Sequence, residues 1–156
     1  MRIGSDDDGD GSAEDDTPIR ASHALEGDDG CIAEARHLAA AFLARARTSC
    51  GVAVSARAVD LTQLVVSELV TNARKYAPGP VLMDLRIVED MVEVIVWDSD
   101  TDLPTAHDAD PGRIGRHGLE IVMRIARHLS VQKEVVGKRI TARVPLADPG
   151  EQTGYG

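Results

Sequence analysis

The chain has 156 residues, 43% hydrophobic but only 3% aromatic, with a net charge of −9. Those figures fit one domain of ordinary size with an aliphatic core. Two cysteines, Cys31 and Cys50, are too few for a disulfide scaffold or a cysteine-based zinc site.

Charge divides the chain. Residues 1–29 hold ten acids against Arg2 and Arg20 and so carry −8; the rest is nearly neutral. With almost nothing apolar to bury, residues 1–29 are expected to be a disordered acidic tail. The balance of the body gives no electrostatic reason for binding nucleic acid, and the tail would repel both nucleic acid and anionic lipid. No apolar run approaches the ~20 residues of a membrane span. The N-terminus lacks the basic-then-apolar layout of a secretory signal, and the low cysteine count suits a reducing compartment. A cytoplasmic protein is expected, with no membrane association.

Ile32 to Arg47 has helical spacing, with Ile32, Ala35, Leu38, Ala39, Phe42, Leu43 and Ala46 sharing one face. Asp28 or Asp29 is the expected cap and Gly51 the expected stop. A second helix is predicted from Ala56 to Ala77, its apolar positions Val59, Leu61, Leu64, Val65, Leu69, Val70 and Ala73, ended by Pro78-Gly79-Pro80. Val81 to Val88 alternates as a strand. Glu89-Asp90 is a turn, and Met91 to Trp97 is a second strand with Val92, Val94 and Val96 on one face. Asp98 to His117 is rich in Asp, Pro and Gly, a loop long enough to suggest function. A third helix is expected from Gly118, with Leu119, Val122, Met123 and Ala126. Two strands follow, Ser130–Val136 and Arg139–Leu146, and then a loose, disordered tail over 148–156. The order α-α-β-β-α-β-β predicts an α/β two-layer sandwich: a mixed, mostly antiparallel sheet covered on one face by helices. The folded domain is expected over 30–147.

Three places carry chemistry. Glu68 and Asn72 are four apart and share a helix face bordering the apolar stripe. A carboxylate and an amide there cost free energy unless satisfied. A solvated helix edge explains the pair; so does a metal–phosphate site, because a neutral carboxamide oxygen suits Mg²⁺ and a carboxylate can orient or deprotonate a hydroxyl. Asp98 follows the apolar run Val94-Ile95-Val96-Trp97, where it is either an ordinary turn residue or an acceptor for an exocyclic amine. Gly112-Arg113-Ile114-Gly115-Arg116-His117-Gly118-Leu119 leads into a helix. Glycines there admit a phosphate close to the backbone and to unpaired N–H groups.

Two decoys are set aside. Asp98-Ser99-Asp100-Thr101-Asp102 opens like a calcium loop but has Leu103 at the sixth position and Ala109 at the twelfth. His23 lacks the helical hairpin that a phosphoacceptor histidine needs, and the five histidines show no ligand spacing.

In this order the three pieces resemble the GHKL (Bergerat-fold) superfamily of ATPases and kinases, which includes sensor histidine kinase catalytic domains and gyrase B. Glu68 to Ala73 resembles its N box, Val96-Trp97-Asp98 its first glycine box, and Gly115-Arg116-His117-Gly118-Leu119 its second. In size and motif wording the chain is similar to the small bacterial anti-sigma-factor serine/threonine kinases and their actinobacterial ATP-binding relatives; 14 Arg against 3 Lys suit such a source. The resemblance implies ATP and Mg²⁺ as cofactors. Asn72 would hold the Mg²⁺ that bridges the phosphates, and Glu68 would act as base or orient the nucleophile. Asp98 would accept a hydrogen bond from the adenine amine. Gly115, Arg116, His117, Gly118 and Leu119 would line the phosphates, and Lys75 would also reach them. The implied activity is transfer of the γ-phosphoryl group to a Ser or Thr of a small antagonist protein, with a sigma factor as a further partner. The first helix or a sheet edge would serve a homodimer. The chain departs from the family pattern at Asp100, where Gly is usual, at Tyr76, where His is frequent, and at Gly137-Lys138-Arg139, where Gly-Lys-Thr is common and Thr141 stands two places out of register. Asp100 favours an alternative, a nucleotide- or partner-binding module without phosphotransfer. A third reading, the detached catalytic half of a histidine kinase, needs a separate protein to supply the histidine.

Overall fold

The computed structural model describes residues 19–26, 30–76, 80–98, 114–134 and 137–147; of 76 and 114–117 only the backbone is described. The elements are β1 (Arg20–Leu25), α1 (Cys31–Cys50), α2 (Ala56–Tyr76), β2 (Val81–Val88), β3 (Met91–Asp98), α3 (Ile114–Ile125), β4 (His128–Lys133) and β5 (Lys138–Pro145). The strands form one sheet in the order β1-β2-β3-β5-β4, antiparallel at every pairing. All three helices pack against one face, with α2 in the middle, touching α1, α3 and the central strands. This is the α+β two-layer sandwich the sequence predicts.

Each long element forms for a local reason. α1 buries Cys31, Ala35, Ala39, Phe42, Leu43 and Ala46, a stripe at helical spacing. It stops at Gly51, whose φ of 72° is left-handed, while Val52 N–H donates to Ala46 O at 3.1 Å; this is the glycine-ended closure that a helix C-terminus favours. Gly30 sits at the N-cap position and no side chain caps the helix; the expected Asp28 and Asp29 lie outside the described residues. α2 begins at Ser55, whose Oγ accepts from Ala58 N–H at 2.9 Å, satisfying one orphan donor of the first turn.

Below α2, β2 turns Val81, Met83 and Leu85 toward the helices, and β3 turns Val92, Val94 and Val96 the same way; all six are buried. The register Leu85↔Val94 and Val94↔Ala142 continues that layer into β5.

Four expectations need correction. Residues 1–29 are not all tail: Arg20–Leu25 is an edge strand paired with β2, whereas residues 1–18 lie outside the described residues. The third helix starts at Ile114, four residues before the expected Gly118. β4 runs from His128 rather than Ser130 and ends at Lys133. Leu64 and Met123, expected in the core, are 38% and 63% exposed; Val66 and Thr62 are fully buried on α2 instead. The C-terminal stretch 148–156 and residues 99–113 of the long loop, including Asp100, lie outside the described residues.

Candidate functional site

The buried stripe of α2 runs through Thr62, Val65, Val66, Leu69, Val70 and Ala73, and Asn72 belongs to it. Asn72 is only 4% exposed, and its Oδ1 has no hydrogen-bond partner among the described residues. A buried amide oxygen left unpaired costs about 1–3 kcal/mol, a cost that folding alone does not explain. One helical turn earlier, Glu68 is half-buried. A Cβ placed on Gly118 would collide with Glu68 Oε1 and stand 3.5 Å from its Cδ. α3 therefore crosses α2 at a point where any side chain larger than glycine would push the carboxylate aside, and two of the predicted site residues lie in contact. Leu119, the next residue, is half-buried against the core.

Asp98 closes β3. By strand alternation it follows Val92, Val94 and Val96 on the helix-covered face, so it shares the interlayer with Asn72. It is 6% exposed, and Lys138 Nζ donates to its Oδ2 at 2.9 Å. The two side chains are 2% and 3% exposed, and their Cα atoms are direct partners in the β3–β5 ladder. The sequence reading left Lys138 unassigned. Its signal was available only in part, because Gly137-Lys138 marks the start of a strand but not which strand lies beside it. An open hollow lined by Ser22, Ala24, Pro80, Leu82, Asp84 and Trp97 lies on the other face of the sheet, at the end of β3 that carries Asp98.

The remaining predicted residues are less tightly placed. Lys75 is exposed in the last turn of α2. Gly115, Arg116 and His117 form the first turn of α3 rather than a loop before it, and their side chains lie outside the described residues. Thr141 faces Ile95 across the ladder, three positions from the Asp98–Lys138 pair and on the other face of the sheet.

The donor set has a definite chemistry. A neutral, buried, unpaired carboxamide oxygen beside a carboxylate fits a hard divalent cation shared with phosphate oxygens. Among the described residues no group of three or more His, Cys, Asp or Glu is placed to hold a metal by itself.

Two solved structures align with part of the chain. The histidine kinase domain of the Erythrobacter litoralis blue-light-activated histidine kinase aligns with a TM-score of 0.44 at 24% identity, covering 62% of this chain and 47% of that one. The Acinetobacter baumannii histidine kinase AdeS aligns with a TM-score of 0.48 at 11% identity, over 82% of this chain and 68% of that one. This chain thus spans about half of the first relative. No curated protein matches. Residues 27–144 match the family described as the histidine kinase-like ATPase domain, a span that takes in Glu68, Asn72, Asp98 and Gly118. The chain belongs to the histidine kinase-like ATPase domain family, within the GHKL superfamily that its motifs resemble.

Proposed function

We propose that the chain binds Mg-ATP between α2 and the sheet and transfers the γ-phosphoryl group to a Ser or Thr of a small antagonist protein, as an anti-sigma-factor kinase does, with a sigma factor as the second partner. The carrying observation is the orphaned Asn72 Oδ1, buried one turn from Glu68. Asn72 would supply an oxygen ligand to Mg²⁺. Glu68, held against Gly118, would orient the attacking hydroxyl or take its proton. Asp98 would receive the adenine amine, with its orientation fixed by Lys138. The first turn of α3 would present N–H groups to the phosphates. The metal contributes charge neutralisation on the phosphates, and the protein contributes positioning.

The test is calorimetric titration with Mg-ATP followed by phosphotransfer. Wild type is expected to bind. Asn72→Ala should weaken binding of Mg-ATP by tenfold or more. Glu68→Ala should keep binding largely intact and lose transfer by at least a hundredfold. Undetectable binding at millimolar Mg-ATP overturns the reading. A phosphorylated partner that is labile in acid and stable in base points to histidine and overturns the Ser/Thr assignment.

The Asp98–Lys138 pair favours a second reading. A carboxylate already occupied by a buried ammonium serves first to lock β3 to β5, and the domain is then a binding module without transfer. Binding of Mg-ATP with no transfer to any Ser, Thr or His acceptor selects it.

A further inference from the structure

The sheet face away from the helices carries a line of charge. The registers place Arg20 opposite Arg86, Arg86 opposite Glu93, Glu93 opposite Arg143, and Arg143 opposite His128. One row thus crosses all five strands with three guanidiniums and a single carboxylate. Glu93 is buried at the centre, bonded by Arg86 Nε at 2.5 Å and by Arg143 Nε at 2.9 Å. Both bonds use Nε, and the arginine side chains stay 40% and 33% exposed. Arg20 is 59% exposed and lies 3.8 Å from Asp84, a separation at which an exposed pair contributes little.

The chain enters the sheet at the end of this row. Ile87 N–H donates to Ile19 O at 2.9 Å, so residues before Ile19 leave beside Arg20 and Arg86. Those residues hold seven acids between positions 6 and 16, against Arg2 alone. Three strand spacings separate β1 from β5, about 14 Å. Four to six extended residues cover about 13–20 Å, which brings Glu14, Asp15 and Asp16 within reach of Arg86 and Arg143.

We propose that the acidic segment 6–16 docks back across the arginine row on the open face of its own sheet. Tethering makes the encounter intramolecular, so modest ion pairs add up at high effective concentration. The occupant is this segment because its charge is opposite, its tether ends at the row, and its length matches the span.

The experiment uses the full chain with Cys50→Ser and Ser12→Cys. A nitroxide is attached at position 12; the other cysteine, Cys31, is buried. Amide signals of Arg86, Glu93 and Arg143 are expected to broaden at least twofold more than those of Arg45 and other exposed residues of α1. The difference should vanish in 0.5 M NaCl, where the Debye length is about 4 Å. It should also vanish when the seven acids are replaced by Asn and Gln. Equal broadening on both faces, or broadening that survives the neutral tail, overturns the proposal. Mixing spin-labelled unenriched chain with unlabelled ¹⁵N chain reads the other occupant: row broadening in that mixture assigns the surface to a second copy's tail and overturns intramolecular docking.

Discussion

At the scale of single residues, the site is a set of polar groups placed where a core would prefer none. Asp98 and Lys138 are both nearly fully buried. Taking two charges out of water is costly, and their mutual bond in good geometry offsets much of it. The consequence is asymmetric. Lys138→Met takes the ammonium away from a buried carboxylate and should destabilise the chain by about 3–5 kcal/mol, read by urea unfolding monitored through Trp97. Asp98→Leu combined with Lys138→Met should recover most of that loss, because two apolar side chains replace the pair together. A single mutant within 1 kcal/mol of wild type would mean that water reaches the pair. The sequence singles out Asp98 as a candidate but not its partner. Lys138 lies 40 positions away, and only the β3–β5 register brings the two opposite one another.

Among the elements, α1 and α2 are legible because their apolar stripes repeat at helical spacing and because Gly51 and Pro78-Gly79-Pro80 mark their ends. β2 and β3 were legible from alternation. β1 was not: Arg20-Ala-Ser-His-Ala-Leu has no β-branched residue, and only Leu25 is fully buried. It is a strand because β2 offers it an edge, not because its own residues favour one. The start of α3 was misplaced for a related reason. Gly115 and Gly118 are poor helix formers, so the sequence suggests a loop, yet at 118 the missing side chain lets α3 approach the Glu68 carboxylate closely. That contact gives a prediction at the same scale. Gly118→Ala gains about 1 kcal/mol in helix propensity and drives the Glu68 carboxylate aside, a small cost because that carboxylate ends a flexible side chain. The midpoint of thermal unfolding should therefore move by only a few degrees, while phosphotransfer should fall to the level of Glu68→Ala with Mg-ATP still bound. A Gly118→Ala chain with full transfer would separate the α2–α3 contact from catalysis.

Across the whole molecule, the two faces of the sheet are built on different principles. The helix-covered face is an aliphatic layer interrupted at one end by the Asp98–Lys138 pair, and its apolar residues could be read from the sequence one strand at a time. The open face carries a charged row whose meaning appears only when five strands are aligned; the sequence alone shows Glu93 as an acid between two valines. Its environment makes a pH prediction. Burial pushes the Glu93 carboxyl upward, but hydrogen bonds and charge from Arg86 and Arg143 outweigh that, and the carboxyl is held below its ordinary value of 4.5. A carboxyl whose folded value is depressed adds stability above its unfolded value and loses it as pH falls through the folded one. Wild type should therefore be stabilised by Glu93 at neutral pH and lose that share progressively below about pH 4.5. Glu93→Gln keeps the shape and removes the titration. It should be destabilised by about 2 kcal/mol at pH 7, the magnitude of hydrogen bonds to a charged group, and the gap to wild type should narrow as pH falls from 5 toward 3. Urea unfolding of both chains across that range checks it. A gap that stays constant with pH would show that Glu93 contributes by packing and not by its charge.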